Sequence, residues 1–278
     1  MSIVLESTWH PGHLSSAEQL APTAIEEVLG ELDALAGQSN HFFKKPVGTF
    51  QVLGETHTLP RYVYLGPQGG GDTIRIGIFA TIHGDEPQGG MALSRFAAAL
   101  ERQPELAQGY ALFFYPVCNP TGLRDGTRWS RTGKDLNREF WKNSSEPEVR
   151  LLETEIWTHA FHGIINLHTD DTSHGLYGFV NGTVLSQHLV EPALQAAERF
   201  LPRNREGRID GFPANQGIVY ECYNGVLQAP AGLTQPPFEI TLETPHLAPL
   251  SLQIEAFNAA LETILIEYRS LMSIAQNI

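Results

Sequence analysis

The segment Thr73-Ile-Arg-Ile-Gly-Ile-Phe-Ala-Thr-Ile82 is followed directly by His83-Gly-Asp-Glu-Pro87 and then by a helical pattern over residues 90–100. The first stretch is apolar and rich in β-branched residues, which is typical of a strand buried on both faces of a sheet. Strand, polar loop and helix in this order form the repeating unit of α/β folds. The segment therefore predicts the fold class and a polar loop at the end of a buried strand.

The same alternation recurs along the rest of the chain. It predicts an α/β protein with an open, mostly parallel (mixed) twisted sheet that has helices on both faces. In such sheets ligands bind beyond the carboxyl ends of the strands, so each catalytic candidate should follow a strand. Strands are predicted at 111–117, 163–167 and 238–242, a short apolar stretch at 176–180, and helices at 15–38, 148–161, 184–200 and 252–274.

Two further segments complete the prediction. Residues 47–65 alternate around a polar turn near Glu55, which indicates a hairpin at an edge of the sheet. The Gly-, Pro- and Asn-rich residues 202–216 indicate a surface loop. The length permits one compact domain over residues 1–278, with an N-terminal helical extension (1–45), a catalytic sheet core (46–245) and a C-terminal helix (246–278).

Composition and charge limit the classes of partner. Hydrophobic residues make up 42% of the chain and charged residues 18%, which are ordinary values for a globular protein. The net charge of −13 repels nucleic-acid phosphates and anionic membranes, so neither is an expected partner. No stretch approaches the ~18 apolar residues of a membrane helix and residues 1–13 lack a signal-peptide pattern, so a cytoplasmic location is expected. Cys118 and Cys222 predict two buried thiols.

Histidine and carboxylate side chains follow two of the predicted strands. His83 and Glu86 lie in the loop after residue 82, and His168 directly follows a later strand. Imidazole nitrogens and carboxylate oxygens are good zinc donors, and three protein ligands leave a fourth position for water. The sequence therefore predicts one zinc ion bound by His83, Glu86 and His168. Two competing pairs, one near the N-terminus and one where a helix runs into a strand, are His10/His13 and His159/His162.

A strict alternation places Glu243 on the polar face of a predicted strand. It comes last on that face, so it reaches the open end of the sheet. A carboxylate there can take a proton from metal-activated water and pass it to a leaving amine. Glu239 is the alternative base. The apolar face carries Phe238, Ile240 and Leu242, and the polar face carries Glu239, Thr241 and Glu243.

Six short motifs follow one another between about Ile76 and Glu243. They are His83-x-x-Glu86, Asn119-Pro-Thr-Gly122, Gly126-Thr-Arg128, Gly133-Lys-Asp-Leu-Asn137-Arg138-Glu-Phe140, Leu167-His168 and Thr241-Leu-Glu243-Thr-Pro. Together they resemble the zinc carboxypeptidase superfamily, including its succinylglutamate desuccinylase/aspartoacylase branch, and the Asp-Leu-Asn-Arg block is the most specific part. The compact spacing resembles the bacterial murein peptide amidases. The resemblance implies a zinc carboxypeptidase-like fold with one zinc ion per chain.

The resemblance also implies roles for further residues. Arg138, whose planar guanidinium can make two hydrogen bonds to a carboxylate, would bind the substrate carboxylate with the help of Asn137. Arg128 would stabilise the negatively charged oxygen of the tetrahedral intermediate. Enzymes of the family close a mobile tyrosine over the substrate, and Tyr220 is preferred here over Tyr223.

One position departs from the family pattern. The residue two before the third ligand is often aspartate in the family but is Asn166 here. A carboxylate there would orient the histidine and raise its basicity. Asn166 is therefore expected to do this less well, or Asp170 or Asp171 to replace it, while His174 could reach the pocket without binding zinc.

Three functions remain open from the sequence. A metallocarboxypeptidase or peptide amidase that cleaves a small peptide next to a free carboxylate is favoured, because only a short helical segment follows Glu243 where aspartoacylases carry a β-rich domain. An N-acyl amino acid deacylase of the desuccinylase/aspartoacylase type is the alternative, because its members also carry His-Gly-Asp-Glu-Pro. A non-catalytic metal-binding module is a distant third, since no ligand or base is missing. The sequence leaves the oligomeric state open.

Overall fold

The computed structural model describes residues 24–182 and 184–275. The pair His10/His13 and residues 15–23 of the predicted N-terminal helix lie outside these ranges. Within them, no helix combines the length and the apolar character that a bilayer span requires. The helices are α1 (Ala24–Ala36), α2 (Gln88–Arg102), α3 (Pro120–Asp125), α4 (Pro147–His159), α5 (Val184–Ala197) and α6 (Leu250–Ala275), with 3-10 turns at Pro104–Ala107 and Leu136–Arg138.

The strands form one large sheet and one small one. They are β1 (Phe42–Lys44), β2 (Gly48–Val52), β3 (Glu55–Leu59), β4 (Tyr62–Leu65), β5 (Ile74–Ala80), β6 (Tyr110–Tyr115), β7 (Gly163–Asp170), β8 (Tyr177–Gly182), β9 (Arg208–Ile209), β10 (Phe212–Asn215), β11 (Ile218–Val219) and β12 (Phe238–Pro245). The large sheet has 10 strands in the order β1-β4-β6-β5-β7-β12-β8-β11-β10-β9. Its four central strands, β6, β5, β7 and β12, pair in parallel.

This architecture confirms the predicted class, an α/β protein with a mixed sheet between helices. Outside the centre only β8 and β11 pair in parallel, and the remaining pairs are antiparallel. The sheet is thus less parallel than predicted. The predicted loop at 202–216 is partly wrong, because β9 and β10 form a hairpin there. Its turn is Asp210-Gly211, with φ of 49° and 81°, and an Asp-Gly pair is a strong hairpin signal in a sequence.

Helices cover both faces of the sheet. On the first face, Ile78, Leu167 and Leu242 pack with side chains of α1, α2, α5 and α6 in the larger core. On the second face, Phe79 and Ile164 pack with α4 and with the β2–β3 hairpin. Apolar residues on alternating positions of the central strands therefore serve two separate cores, as expected for strands buried on both faces.

The β2–β3 hairpin differs from its predicted place. It forms a separate two-stranded sheet instead of an edge of the large one. Its buried side chains, Phe50, Val52 and Leu59, pack face to face against the second core, which leaves its edge unpaired with the large sheet. One edge strand of the large sheet is β1, so that sheet begins before the predicted core boundary at residue 46. The single-domain organisation over residues 1–278 stays a prediction.

The register of β7, β12 and β8 arranges side chains in rows on the second face. Because alternate residues of a strand point to the same face, residues two apart lie in successive rows. The upper row, nearer the carboxyl ends of β7 and β12, consists of His168, Glu243 and Tyr177, which pair across the three strands. The lower row consists of Asn166, Thr241 and Phe179.

Candidate metal centre and active site

Three buried side chains converge at the carboxyl ends of β5 and β7. His83 Nδ1 lies 2.7 Å from Glu86 Oε1, and His168 Nδ1 lies 3.0 Å from Glu86 Oε2. Their ligand atoms all lie within 4.8 Å of one another, and in residues 24–182 and 184–275 they form the single group of this kind. Two imidazoles and one carboxylate are a donor set that suits zinc. The structure thus brings the three predicted ligands together, and the group could hold a metal ion.

Close backbone contacts fix the turn that carries His83 and Glu86. The Glu86 N–H donates to the His83 carbonyl at 3.1 Å. Gly84 has no room for a side chain, because a Cβ there would lie 2.0 Å from the carbonyl carbon of Gly122. Thr81 is buried with φ of 53°, a strained value for a β-branched residue. The loop after β5 therefore holds both side chains in place at a cost in backbone strain.

Asn119 ties this turn to the loop that carries Arg128. Its Oδ1 accepts a hydrogen bond from the Gly122 N–H at 2.8 Å and caps α3. Its Nδ2 donates to the carbonyls of Ile82 at 3.3 Å and Arg128 at 3.4 Å. One buried side chain therefore fixes the relative position of two loops of the site, which gives the Asn-Pro-Thr-Gly motif a structural reason.

His168 and Glu243 lie inside their strands, not after them. β7 and β12 extend to Asp170 and Pro245, beyond the predicted ends at 167 and 242. The parallel pairing continues past the apolar run through Thr169 and Thr244, so the backbone stays extended there. The rule that site residues follow a strand therefore holds for His83 and Glu86. His168 and Glu243 instead lie among the last residues of β7 and β12.

Asp135 contacts both His83 and Arg128, and the sequence assigned it no role. Its Oδ1 lies 3.2 Å from His83 Nε2, and its Oδ2 accepts hydrogen bonds from Arg128 Nε at 3.2 Å and Nη2 at 3.0 Å. An acceptor on the far imidazole nitrogen keeps the proton there and leaves Nδ1 able to bind a metal. Its place in the Gly-Lys-Asp-Leu-Asn-Arg block is the signal that could have found it.

The charges in this buried group compensate one another. Burial opposes ionisation of Glu86, but the imidazoles of His83 and His168 outweigh it and hold the pKa of Glu86 below its usual range. Burial also opposes ionisation of Asp135, but His83 and Arg128 outweigh it and lower the pKa of that carboxyl. Burial lowers the pKa of His168, which favours the neutral imidazole that a metal requires.

A cavity of about 200 Å³ opens over these side chains. Glu243 lines it from the upper row, and Arg128 lines it from the loop before Asp135. Burial raises the pKa of Glu243 well above its usual value, and the charge of Glu86 adds to the effect. Arg128 Nη1 lies 3.2 Å from His83 Nδ1 and 3.6 Å from Glu86 Oε1. A carboxyl group and a guanidinium therefore lie at the same end of the cavity as the three candidate ligands.

Asn137 and Arg138 form another wall of the cavity. Asn137 Oδ1 accepts a hydrogen bond from the Leu227 N–H at 2.8 Å. Arg138 Nη1 donates to the Asn137 carbonyl at 2.8 Å, and its guanidinium carbon lies 4.1 Å from the centre of the Tyr223 ring. This contact is a cation–π interaction, which holds the guanidinium in one orientation.

The chain resembles known proteins in sequence over part of its length and in overall fold. The family model of the succinylglutamate desuccinylase/aspartoacylase catalytic domain matches residues 72–205, just under half of the chain. A Shewanella amazonensis SB2B protein, provisionally named a metallopeptidase, shares 22% identity over 88% of this chain and 94% of its own, with a TM-score of 0.73. A metallo-carboxypeptidase from Burkholderia cenocepacia shares 16% over 87% and 68%, with a TM-score of 0.68.

A metallo-carboxypeptidase from Pseudomonas aeruginosa, solved with (2-guanidinoethylmercapto)succinic acid, shares 17% identity over 87% of this chain and 68% of its own, with a TM-score of 0.63. No curated protein matches the chain by sequence. Residues 72–205 therefore resemble the desuccinylase/aspartoacylase catalytic domain in sequence, and the chain has the fold of these metallo-carboxypeptidases. The family-model region includes the three candidate ligands, while Glu243 lies beyond it.

Tyr220 does not reach the cavity. It is 47% exposed and lines a separate surface groove with Glu191 and Gln216. Tyr223 lines the cavity, and its hydroxyl donates to the Asp210 carbonyl at 3.0 Å. The chain turns after β11, so residues 220 and 223 face different sides. The structure therefore corrects the preference for Tyr220 and brings Tyr223 to the site.

The expected orienting partners of His168 also differ. Among the described residues, no hydrogen bond joins His168 to Asn166, Asp170 or Asp171. Asn166 lies two residues earlier on the same strand, so its side chain occupies the lower row and cannot reach past the row above. Asp170 accepts a hydrogen bond from the Tyr177 hydroxyl at 2.8 Å instead. Asp135, which is not itself a candidate ligand, is the carboxylate that contacts one of the candidate ligands, and that ligand is His83.

The other candidates have structural or surface positions. His159 Nε2 lies 3.0 Å from Arg61 Nη1, and His162 Nδ1 accepts a hydrogen bond from the Arg75 N–H at 3.0 Å. The pair therefore belongs to the packing of α4 against the sheet. His174 is exposed and is not among the residues that line the cavity. Cys118 is fully buried as predicted, whereas Cys222 is only partly buried and lines the cavity.

Replacement of Asp135 by asparagine is expected to weaken zinc binding by about 10- to 100-fold. The amide accepts less strongly from His83 and no longer compensates the charge of Arg128. Competition with a chelator of known zinc affinity measures the change. Asp72→Asn, at an exposed position before β5, is the matched control and should keep the wild-type affinity. Equal affinity in the Asp135 variant would show that this carboxylate does not orient the ligand.

Proposed function

We propose that the protein is a zinc-dependent hydrolase that cleaves the amide bond next to a free carboxylate in a small peptide. One observation supports this most: the three candidate ligands, Glu243 and Arg138 all line one cavity. A metal-binding group, a base and a carboxylate-binding cation are the parts that such a reaction needs. Their occurrence in one cavity also disfavours a non-catalytic metal-binding module, which has no use for the base.

His83, Glu86 and His168 would hold the zinc ion. When bound there, a zinc ion would act as a Lewis acid, which would polarise the amide carbonyl and lower the pKa of water. Glu243 would accept the proton from the attacking water and deliver it to the leaving nitrogen. Its raised pKa, which burial causes, suits a group that must hold the transferred proton before passing it on.

The two arginines would have different tasks. Arg138, backed by the Tyr223 ring, would bind the substrate carboxylate with Asn137 beside it. Arg128 lies against the candidate ligands at 3.2 Å from His83 Nδ1, so its guanidinium would face the negative charge that develops on the carbonyl oxygen. Asp135 holds Arg128 through two hydrogen bonds and fixes that orientation.

An N-acyl amino acid deacylase is the second candidate, and the family match over residues 72–205 favours it. The charge of the cavity favours the peptidase. Asp170, Asp171 and Asp210 line the cavity in addition to Glu243. An acyl group with its own carboxylate, such as succinyl, would meet these like charges, whereas a peptide with a neutral or cationic amino-terminal part would not.

A substrate panel tests the proposal. Zinc-loaded protein is assayed with carboxyl-terminal dipeptides, a γ-D-glutamyl-diaminopimelate peptide, N-acetylaspartate and N-succinylglutamate. The proposal expects turnover of a peptide, and turnover only of the N-acyl amino acids would move the assignment to deacylase. No turnover of any amide by protein that contains zinc would contradict both. A cytoplasmic location is part of the proposal and stays a prediction.

Replacement of Arg138 by glutamine is expected to lower kcat/KM by about 10²-fold, mainly through a higher KM. The variant loses the charge-assisted hydrogen bonds to the substrate carboxylate. Esterification or amidation of that carboxylate in the substrate should lower kcat/KM of the wild type by a similar factor. It should change kcat/KM of the Arg138 variant little. Arg95→Gln, at an exposed position on α2, is the matched control. If the substitution lowered kcat/KM equally for the free-acid substrate and for its ester or amide, Arg138 would not be the residue that binds the carboxylate.

A further inference from the structure

The lower row forms the floor of the cavity beneath the catalytic groups. Asn166, Thr241 and Phe179 all line the cavity, and they pair across β7, β12 and β8. Asn166 and Thr241 lie two residues before His168 and Glu243, and Phe179 lies two residues after Tyr177 because β8 is antiparallel to β12. The three side chains therefore lie one row deeper from the carboxyl ends of β7 and β12. A substrate group that enters past Glu243 would therefore meet these three side chains.

In the carboxamide of Asn166 the nitrogen has hydrogen-bond partners, whereas the oxygen has none among the described residues. Nδ2 donates to the Leu227 carbonyl at 3.0 Å and to Thr241 Oγ1 at 3.3 Å. A carbonyl can only accept, so this contact fixes which end of the amide is the nitrogen. Oδ1 has no hydrogen-bond partner among the described residues, although Asn166 is only 6% exposed. Buried acceptors are nearly always paired in native proteins, so this oxygen lacks a donor among the described residues that a ligand could bring.

Thr241 adds a donor beside this acceptor. Its hydroxyl oxygen accepts from Asn166 Nδ2, and a hydroxyl that accepts one hydrogen bond still has its own O–H to donate. No acceptor for that O–H is found in the described part of the chain. The floor therefore offers one acceptor and one donor side by side. A carboxamide or hydroxyl group matches both at once.

The floor is also neutral and lies next to the carboxylate-binding wall. Among the described residues of the lower row, and in the adjacent Cys222, Val226 and Leu227, no side chain is charged. A charged group buried there would lack a counter-ion. Leu227 links the two parts, because its N–H donates to Asn137 Oδ1 and its carbonyl accepts from Asn166 Nδ2. The side chain of a residue bound through its carboxylate at Asn137 and Arg138 would thus lie beside the floor.

We infer that the substrate residue carrying the free carboxylate has a neutral side chain that ends in a carboxamide or hydroxyl group, and that Asn166 Oδ1 accepts its hydrogen bond. The inference rests on the proposed function and narrows its substrate class. Asn166 is then a specificity-determining residue, not an orienting partner of His168.

The test compares two substrates within each variant. N-acylated dipeptides that end in asparagine or leucine are nearly equal in size and differ in the hydrogen-bonding group. The same two residues are also offered as N-acetyl amino acids, so that a deacylase would report on the floor equally well. The ratio of the two kcat/KM values does not depend on the fraction of folded enzyme, so a partly unstable variant remains informative. Zinc content is measured in every sample.

The wild type is expected to prefer asparagine by about 10- to 100-fold, because leucine leaves the buried acceptor unpaired. Asn166→Ala should bring the ratio close to one. Asn181→Ala is the matched control, since Asn181 pairs with Glu239 one row below the floor and is not among the residues that line the cavity. It should keep the wild-type ratio.

Two results would overturn the inference and leave the proposed function intact. One is a wild type that cleaves the leucine substrate as well as or better than the asparagine substrate. The other is an Asn166→Ala variant that keeps the wild-type preference. Zinc-containing wild type that cleaves neither dipeptide nor either N-acetyl amino acid would remove the proposed function, and the inference with it.

Discussion

Replacing Glu243 by glutamine lowers kcat/KM by about 10²- to 10⁴-fold while zinc stays bound. Glutamine keeps the size of the side chain and its place in the upper row beside His168, but it cannot accept a proton. The loss should appear mainly in kcat, because Glu243 acts on the reacting atoms and not on the substrate carboxylate. Steady-state kinetics together with metal analysis of the same sample measure both quantities.

Glu239→Gln is the matched control for this prediction. Glu239 lies on the same face of β12 and was the alternative base, but it accepts a hydrogen bond from the Ala229 N–H and is not among the residues that line the cavity. Burial raises its pKa to about 7, so it resembles Glu243 in environment as well as in chemistry. Its variant should keep activity within a few-fold of the wild type. A larger loss in the Glu239 variant than in the Glu243 variant would reassign the base.

Replacing His168 by alanine abolishes zinc binding at stoichiometric concentration and activity with it. The loss of a direct ligand should exceed the ~10- to 100-fold that loss of an outer contact costs. His168 is buried, its Nδ1 lies 3.0 Å from Glu86 Oε2, and in residues 24–182 and 184–275 no second group of this kind could hold the ion. Metal analysis after gel filtration and an activity assay at saturating zinc give the two readouts.

His174→Ala is the matched control, because His174 is an exposed histidine close in sequence that does not belong to the metal-binding group. It should retain the wild-type zinc content and activity. A His168 variant that binds zinc as tightly as the wild type would show that the ion is held elsewhere.

The sequence predicted the centre of the fold well for a physical reason. Strands buried on both faces have uninterrupted apolar runs in the sequence, whereas the helices between them have apolar residues at a spacing of three to four. This difference allowed β5, β7 and β12 to be predicted. Alternation along residues 238–243 also placed Glu243 on the polar face. The short strands β9, β10 and β11 lack such runs, because two to four residues cannot show a period. The Asp210-Gly211 pair is the signal that could have indicated the β9–β10 hairpin, but the composition of residues 202–216 predicted a loop there.

The candidate site was predictable where residue type and strand end coincide, as for His83, Glu86 and His168. Asp135 was missed because it lies in a loop, and periodicity cannot show which histidine nitrogen a loop side chain will reach. Tyr220 was preferred over Tyr223 for the same reason: the direction of the chain after β11 decides which tyrosine faces the cavity. Asn166 was read as a weakened partner of His168, whereas the strand register places it in the row below.

The zinc content of carefully purified protein, followed through removal and restoration, tests the metallohydrolase assignment most directly. We expect about one zinc ion per chain, loss of amide hydrolysis when a chelator removes it, and recovery when zinc is returned. The same cycle in the His168→Ala variant should show neither bound zinc nor recovery. Amide hydrolysis by wild-type protein that contains no metal, or zinc-dependent hydrolysis that the His168 variant retains, would contradict the assignment.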